Sequence, residues 1–320
     1  MFASLRNRIL LSLILGALVV AALFLWGDIR QVTAALHSFR WSLLPLIVAL
    51  VFSNYAIRFW KWQYYLRLTG VRNVPAFESA LIFCSGMAMT ITPAKIGEWL
   101  KSYYLREGYG APLSRTAPIV LAERLTDGFG MVFLAGAGLL LVRQGWLLLV
   151  VITALGVLPI VALQYRPFAR WTIALTSRTP ILKRFGPFLE GFYESSNSLL
   201  TWKPLLISTL LAAISWGAEG IALYFVYLGL GAPNGWELAM QGIFIFAITT
   251  LAGVAFLLPG GLGVAEGGIA GFSQSLVGLS RDAAAAATLL IRLSTLWFGV
   301  AIGLVAMVVL TRRLRGKAPK

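Results

Sequence analysis

The chain has 320 residues, of which 59% are hydrophobic and 12% charged, with a formal net charge of +15. Its apolar runs are too long and too many for a soluble core, since runs of about 18 or more residues indicate membrane helices. Nothing between them is large enough for a soluble catalytic domain, and a lone Cys84 and a lone His37 exclude an internal disulfide and a His-rich metal site.

Residues 9–26 follow a basic start and could mimic a signal peptide. The run is long and ends in Leu23-Phe-Leu-Trp26 with no small-residue cleavage site, so a retained first helix is expected. A second span is predicted at 41–57. It is followed by Arg58-Phe-Trp-Lys-Trp-Gln-Tyr-Tyr-Leu-Arg67, a mixture of basic and aromatic residues that marks a membrane interface. Headgroup capture by Arg58 or Lys61 is the alternative for that segment. Residues 77–107 form an apolar stretch with basic flanks, interrupted at Thr92-Pro-Ala-Lys-Ile-Gly-Glu98. The third span, 116–142, contains Glu123, Arg124 and Asp127, and a fourth is predicted at 146–164. A basic connector, 165–203, carries Pro167, Pro180 and Pro187. The fifth span, 204–229, contains Glu219. Residues 238–280 are broken at Leu258-Pro-Gly-Gly-Leu-Gly-Val-Ala-Glu266, and the sixth span, 284–310, contains Arg292.

The charge has a side. Of 27 Lys and Arg residues, 21 fall at Arg6 and Arg8, in 58–72, 95–115 and 166–203, and in the tail from Arg312 to Lys320. Arg30, Arg40, Arg143 and Arg281 occupy the alternate loops. This asymmetry fits the positive-inside rule with both termini cytoplasmic, and it accounts for the net charge without nucleic acid. The basic faces would meet anionic headgroups.

The two broken stretches correspond. Pro93 and Pro259, Gly97 and Gly263, and Ser114-Arg115 and Ser280-Arg281 are each offset by 166 positions; Glu98/Glu266 and Arg124/Arg292 are offset by 168. Helices broken by Pro and Gly at matching places in two halves point to a transporter site. We therefore expect an all-α polytopic membrane protein with six full spans and two broken or re-entrant hairpins, or up to eight crossings if the hairpins traverse. It would form a single integral membrane domain, with repeat 1 at about 1–143 and repeat 2 at about 144–320. Three spans per half would insert the second half upside down, giving an inverted-topology repeat.

Thr92-Pro93 reads as a helix start, with a hydroxyl cap and Pro in the first turn. Pro259, Gly260, Gly261 and Gly263 permit positive φ and amides unpaired by helix, tolerable at membrane depth where they line a wet cavity. Helix N-termini there would face an anion, with lipid phosphate the natural candidate; a plain packing break is the alternative. Glu123, Arg124 and Asp127 lie about 11–17 Å into their span at 1.5 Å per residue. A charge at that depth costs about 2.5–3.5 kcal/mol, so partners or a cavity are expected, either for a ligand or as a structural ion cluster. Arg292 has no acid within four residues. Glu98, Glu266 or bound phosphate must compensate it. The leading expectation is that Arg124 and Arg292 face the two breaks across one central cavity. There Glu98 and Glu266 would orient them or carry protons. Lys95, Lys101 and Arg106 could draw in an anionic lipid, although positive-inside placement explains Lys101 and Arg106 nearly as well.

The Pro-x-x-x-Gly-Glu loop at Pro93–Glu98, the Glu123-Arg-Leu-Thr-Asp127 element and the Pro-Gly-Gly-x-Gly-x-x-Glu loop at Pro259–Glu266 are together similar to the flippase-like membrane family that includes the transmembrane region of lysylphosphatidylglycerol synthetase. The resemblance runs from Asn54–Arg67 to Arg292. It implies a polytopic protein of the bacterial inner membrane that handles phospholipids or polyprenol-linked lipids. Pro93, Gly97, Glu98, Pro259, Gly260, Gly261, Gly263 and Glu266 would line the lipid path with Arg124, Asp127 and Arg292. The synthetases also carry a soluble aminoacyl-transferase domain; these 320 residues do not, so lysyl-lipid synthesis by that route is not expected.

The function expected is a lipid translocase for an anionic or polyprenol-phosphate-linked lipid in cell-envelope assembly, not an enzyme, with no cofactor. The alternatives are an intramembrane enzyme acting on a lipid-linked phosphate, with Glu98, Asp127 and Glu266 as acid–base groups, or a scaffold for an envelope-biosynthesis enzyme.

Overall fold

In the computed structural model the described residues are 2–92, 97–142 and 186–317, with 150–151, 153–154 and 157–158. Most of the predicted span at 146–164 and most of the connector 165–203 therefore lie outside them. Among the described residues the secondary structure is helical, without strands.

The first helix, α1 (Phe2–Trp26), ends at a sharp corner. From Ile14 onward it is apolar, and it bends by 96° into α2 (Ile29–Ser38). The Asp28 carboxylate caps α2 by accepting from the Arg30 amide at 2.8 Å. α3 (Leu44–Leu68) begins with Pro in its first turn and runs unbroken through the basic–aromatic segment. The predicted boundary near residue 57 is thus not a helix end.

The first broken stretch is α4 (Ala76–Ala88), a 3-10 turn at Met89–Ile91, and α5 (Leu100–Tyr109). Arms of 13 and 10 residues span about 20 and 15 Å, short of a hydrocarbon core of about 30 Å. After α6 (Leu113–Val142) come α7 (Gly186–Leu199) and α8 (Trp202–Gly229). The second broken stretch differs from the first. Its leading arm, α9 (Trp236–Ala255), is 20 residues long and apolar enough to cross a membrane, whereas its trailing arm, α10 (Val264–Ser275), has 12. The chain closes with α11 (Arg281–Arg292), a π-helical turn at Leu293–Trp297 and α12 (Phe298–Lys317).

By length and composition, four described helices can cross a membrane: Trp41–Leu68, Trp202–Gly229, Trp236–Ala255 and Arg281–Leu314. The bent pair of α1 and α2 makes a fifth if it is one span. Three apolar clusters among the described residues hold them. One joins α6, α8 and α9 through Met131, Trp216, Leu223, Phe244 and Ile248; another joins α3, α4, α5 and α12 through Trp62, Tyr65, Phe83, Leu105 and Leu310; the third packs α1 and α2 on α10 and α11 through Leu23, Val32, Ala270 and Leu289. Small residues set the closest approaches, because lipid tails are as apolar as Leu and helices associate by packing. At Gly303, for example, a Cβ would lie 2.2 Å from the Ala88 backbone nitrogen, so α12 rests on the backbone of α4. The two breaks also touch: the turn Met89–Ile91 contacts the turn Pro259–Gly261.

Candidate functional site

At the first break Thr92 is extended, and its hydroxyl accepts from the Gly97 amide at 2.9 Å while donating to the Met89 carbonyl at 2.6 Å. The hydroxyl cap expected from the sequence therefore serves Gly97. Pro93 and Lys95 lie outside the described residues. At the second break Gly260, Gly261 and Gly263 all have positive φ (60°, 71° and 89°), which glycine adopts without a Cβ clash. The Gly261 and Leu262 amides donate to the Leu258 and Pro259 carbonyls, and the Gly263 amide donates to Glu266 Oε2 at 2.7 Å. This corrects the expectation of open amides aimed at an anion. At Gly97, Gly261, Leu262 and Gly263 the amides are taken internally, and side chains supply the positive charge.

Each arginine meets the acid of its own break. Arg124 Nη2 lies 2.7 Å from Glu98 Oε2, and Arg292 Nε donates to Glu266 Oε1 at 2.6 Å. Arg292 Nη2 also donates to the Gly260 carbonyl at 2.8 Å, so its guanidinium holds both the carboxylate and the turn. Glu266 in turn bridges Arg292 and the amide of Gly263, the residue that caps α10.

Around Arg124 stands a denser network. Asp127 is ion-paired with Lys61 and lies 3.8 Å from Arg124 and 4.0 Å from Arg58; Glu123 is ion-paired with Lys101. The Lys61 ammonium also reaches Thr126 Oγ1 at 3.4 Å, and that hydroxyl meets Tyr65 at 3.1 Å. Lys61 and Lys101 are buried, which corrects two expectations. Lys61 is not an interfacial anchor: α3 continues as one helix, and its face Asn54, Arg58, Lys61, Tyr65 turns inward on helical spacing. Lys101 is not a surface charge either. Its stem lies over Gly86, where a Cβ would come within 2.8 Å of Lys101 Cδ, and its ammonium sits 4.7 Å from the Trp62 ring centroid. Arg106 is exposed.

Between the breaks lies a cavity of about 70 Å³, open at one side. Its walls are Tyr55 and Arg58 of α3, Thr90 of the first break, Trp216 and Glu219 of α8, Thr250 of α9, Gly260 of the second break, and Arg292 with Thr295 beyond it. The expected arrangement changes here. Arg292 lines the cavity, but the arginine with it is Arg58, stacked 5.1 Å over Trp216, and Arg124 is not among the lining residues. Arg124 connects to the cavity wall through Asp127, which both arginines approach. Tyr55, Trp216 and Glu219 complete the chamber. Of these, Glu219 stands out in the sequence as the one acid of the predicted fifth span; an inward polar stripe on α3 is the signal for Tyr55.

A helical protein with several apolar helices of membrane length, broken twice around a small cavity lined by Arg58, Glu219 and Arg292, is a multi-pass membrane protein. The chain belongs to the family described as the lysylphosphatidylglycerol synthase TM region, which matches residues 9–303. Among its relatives are proteins of Methanothermobacter thermautotrophicus named UPF0104 membrane protein. One is 25% identical over 94% of this chain and 95% of its own length. Two others are 24% and 23% identical, covering 95% and 90% of this chain and 93% and 90% of their own.

Proposed function

We propose that the protein is a lipid translocase of the inner membrane, moving an anionic phospholipid or polyprenol-phosphate-linked lipid by passing the phosphate through the chamber while the chains stay in the bilayer. The observation that carries this reading is the pair Arg58 and Arg292 on one small polar cavity that touches both breaks. Guanidinium forks match phosphate geometry, and a buried cation at this depth is costly without such a use. Six spans with two re-entrant hairpins, arranged as an inverted repeat with both termini cytoplasmic, would let one half rock against the other about that cavity. The matching Arg–Glu pair at each break and the contact between the breaks support that arrangement.

A transporter suits the carboxylates better than an enzyme does. Glu98, Asp127 and Glu266 are each committed to a cation, which suits orienting roles rather than proton abstraction. In liposomes carrying a fluorescent anionic lipid, Arg58→Ala and Arg292→Ala should abolish translocation that the wild type supports. Equal scrambling by all three would remove the basis for the site, and a chemically altered product lipid would mark an enzyme instead.

A further inference from the structure

Arg292 borders two hollows. On one side it lines the central cavity; on the other, with Glu266 and Leu262, it lines a cleft of about 10 Å³ against α1. The cleft shares Gly16, Val20, Leu293 and Trp297 with an outer groove of about 690 Å³ between α1 and the π-helical turn. The groove has no charged side chain in its walls, and its rim residues Leu25, Ile29 and Leu293 are 85, 61 and 55% exposed. An exposed apolar surface thus leads inward to a cation.

Trp297 is the partition. A Cβ at Gly16 would lie 2.2 Å from the Trp297 ring, so the indole is seated on the backbone of α1 where glycine leaves room. A cleft of about 10 Å³ is at the lower limit for one water, so the passage is shut. Trp297 ends the π-turn that begins directly after Arg292, and such turns recur at functional sites. The turn is tied to the chamber as well: the Tyr55 hydroxyl, on the cavity wall, donates to the Thr295 carbonyl at 2.8 Å.

We propose that this groove seats one hydrocarbon chain of a lipid whose phosphate engages Arg292, and that Trp297 is the lateral door between groove and chamber. The proposal rests on the translocase reading and adds the route of the chain. An amphiphile with an anionic head matches the order of surfaces, apolar outside and guanidinium within. Movement of the indole off Gly16 would join groove and cleft, and Tyr55 would report the state of the chamber to the turn.

The test places the full chain in nanodiscs of phosphatidylcholine doped with phosphatidylglycerol bearing a mid-chain diazirine. After irradiation the labelled peptides are mapped by mass spectrometry. Label should concentrate on α1 between Ala17 and Leu25 and on the π-turn. It should fall to the level at Leu206 and Leu210, exposed on α8, in the variant Ala17→Trp with Ala21→Trp, whose altered sites are themselves exposed. Trp297→Ala should carry label inward to Leu262 and Thr288. Label as dense on α8 as on α1, no response to the tryptophans, or equal labelling by a choline-headgroup probe would overturn the proposal. So would a dimer that the tryptophans dissolve, since a second copy would then fill the groove. A wild type that moves lipid with an unlabelled groove overturns the route and leaves the translocase. A labelled groove in a protein that moves no lipid retires the translocase and keeps the chain site.

Discussion

The two breaks pair an arginine with a glutamate in the same way, yet their surroundings differ. Around the first, Arg58, Lys61, Lys101 and Arg124 share Glu98, Glu123 and Asp127, so each carboxylate is held from another helix and α3, α5 and α6 are cross-linked through their charges. At the second, Arg292 has Glu266 and one backbone carbonyl, and it fronts the cavity. The first arrangement resists change, because shifting any member strands another charge in a low-dielectric interior. The second can exchange a partner at small cost, since a phosphate can replace a carboxylate on one guanidinium edge. In the proposed translocase the dense half, Arg58 included, would stay fixed while Arg292 exchanges its carboxylate for a phosphate.

Breaking the dense half should have the largest effect. Asp127→Ala leaves Lys61 buried without its carboxylate and loosens Arg58 and Arg124, so a loss of about 3–5 kcal/mol is expected. Unfolding in a denaturing-detergent titration measures it. Adding Lys61→Met to that variant should return about 0.5–3 kcal/mol, the coupling expected of contacting residues. No recovery would mean that the pair does not hold α3 to α6.

The sparse half should fail in transport before it fails in stability. Arg292→Lys keeps the charge but cannot grip Glu266 and the Gly260 carbonyl with one planar fork. Loss of one charge-assisted hydrogen bond, about 1.5–3 kcal/mol, corresponds to translocation slowed roughly tenfold to hundredfold. Glu266→Gln sharpens the same contrast from the other partner. The amide still accepts from Gly263 but no longer competes for the guanidinium, so about 1.5–3 kcal/mol of stability should go with the charge-assisted bond. The anionic lipid retained through purification, counted by mass spectrometry, should rise. A fall would show that Glu266 is needed to present Arg292 rather than to displace its ligand.

Much of this was legible in the chain. The Pro259–Gly263 run marks backbone that does not continue as helix, and charges within apolar runs, as Arg124 and Arg292 are, must find acids; Glu98 and Glu266 stand at matching offsets. Lys61 and Lys101 were read less well, for a physical reason. A basic residue among Trp and Tyr near the end of an apolar run looks the same whether the helix stops at the headgroups or runs on inward, and the choice is made by Asp127 and Glu123 on another helix. The short helix Ile29–Ser38, capped by the Asp28 carboxylate, takes the place of the loop expected between the first two spans. The π-turn left no mark, because Leu293-Ser-Thr-Leu-Trp297 contains neither Pro nor Gly and its extra residue is accommodated through tertiary contacts.

The smallest change tests the link between halves. The Tyr55 hydroxyl reaches from α3, in the first half, to the Thr295 carbonyl in the π-turn of the second. Hydrogen bonds between membrane helices average about 0.6 kcal/mol and reach about 1.7, so Tyr55→Phe should cost little in an unfolding titration. Its effect on transport has a different origin. The Thr295 carbonyl also accepts from the Phe298 amide, so Tyr55 is a second donor that holds the turn in place; without it the turn can relax toward regular α-helix, which rotates Trp297 relative to Arg292. Translocation that changes more than stability would place Tyr55 in the coupling of chamber to turn. A proportionate change in both would make it one more packing contact between halves that already meet where α12 lies on α4 and α8 on α3.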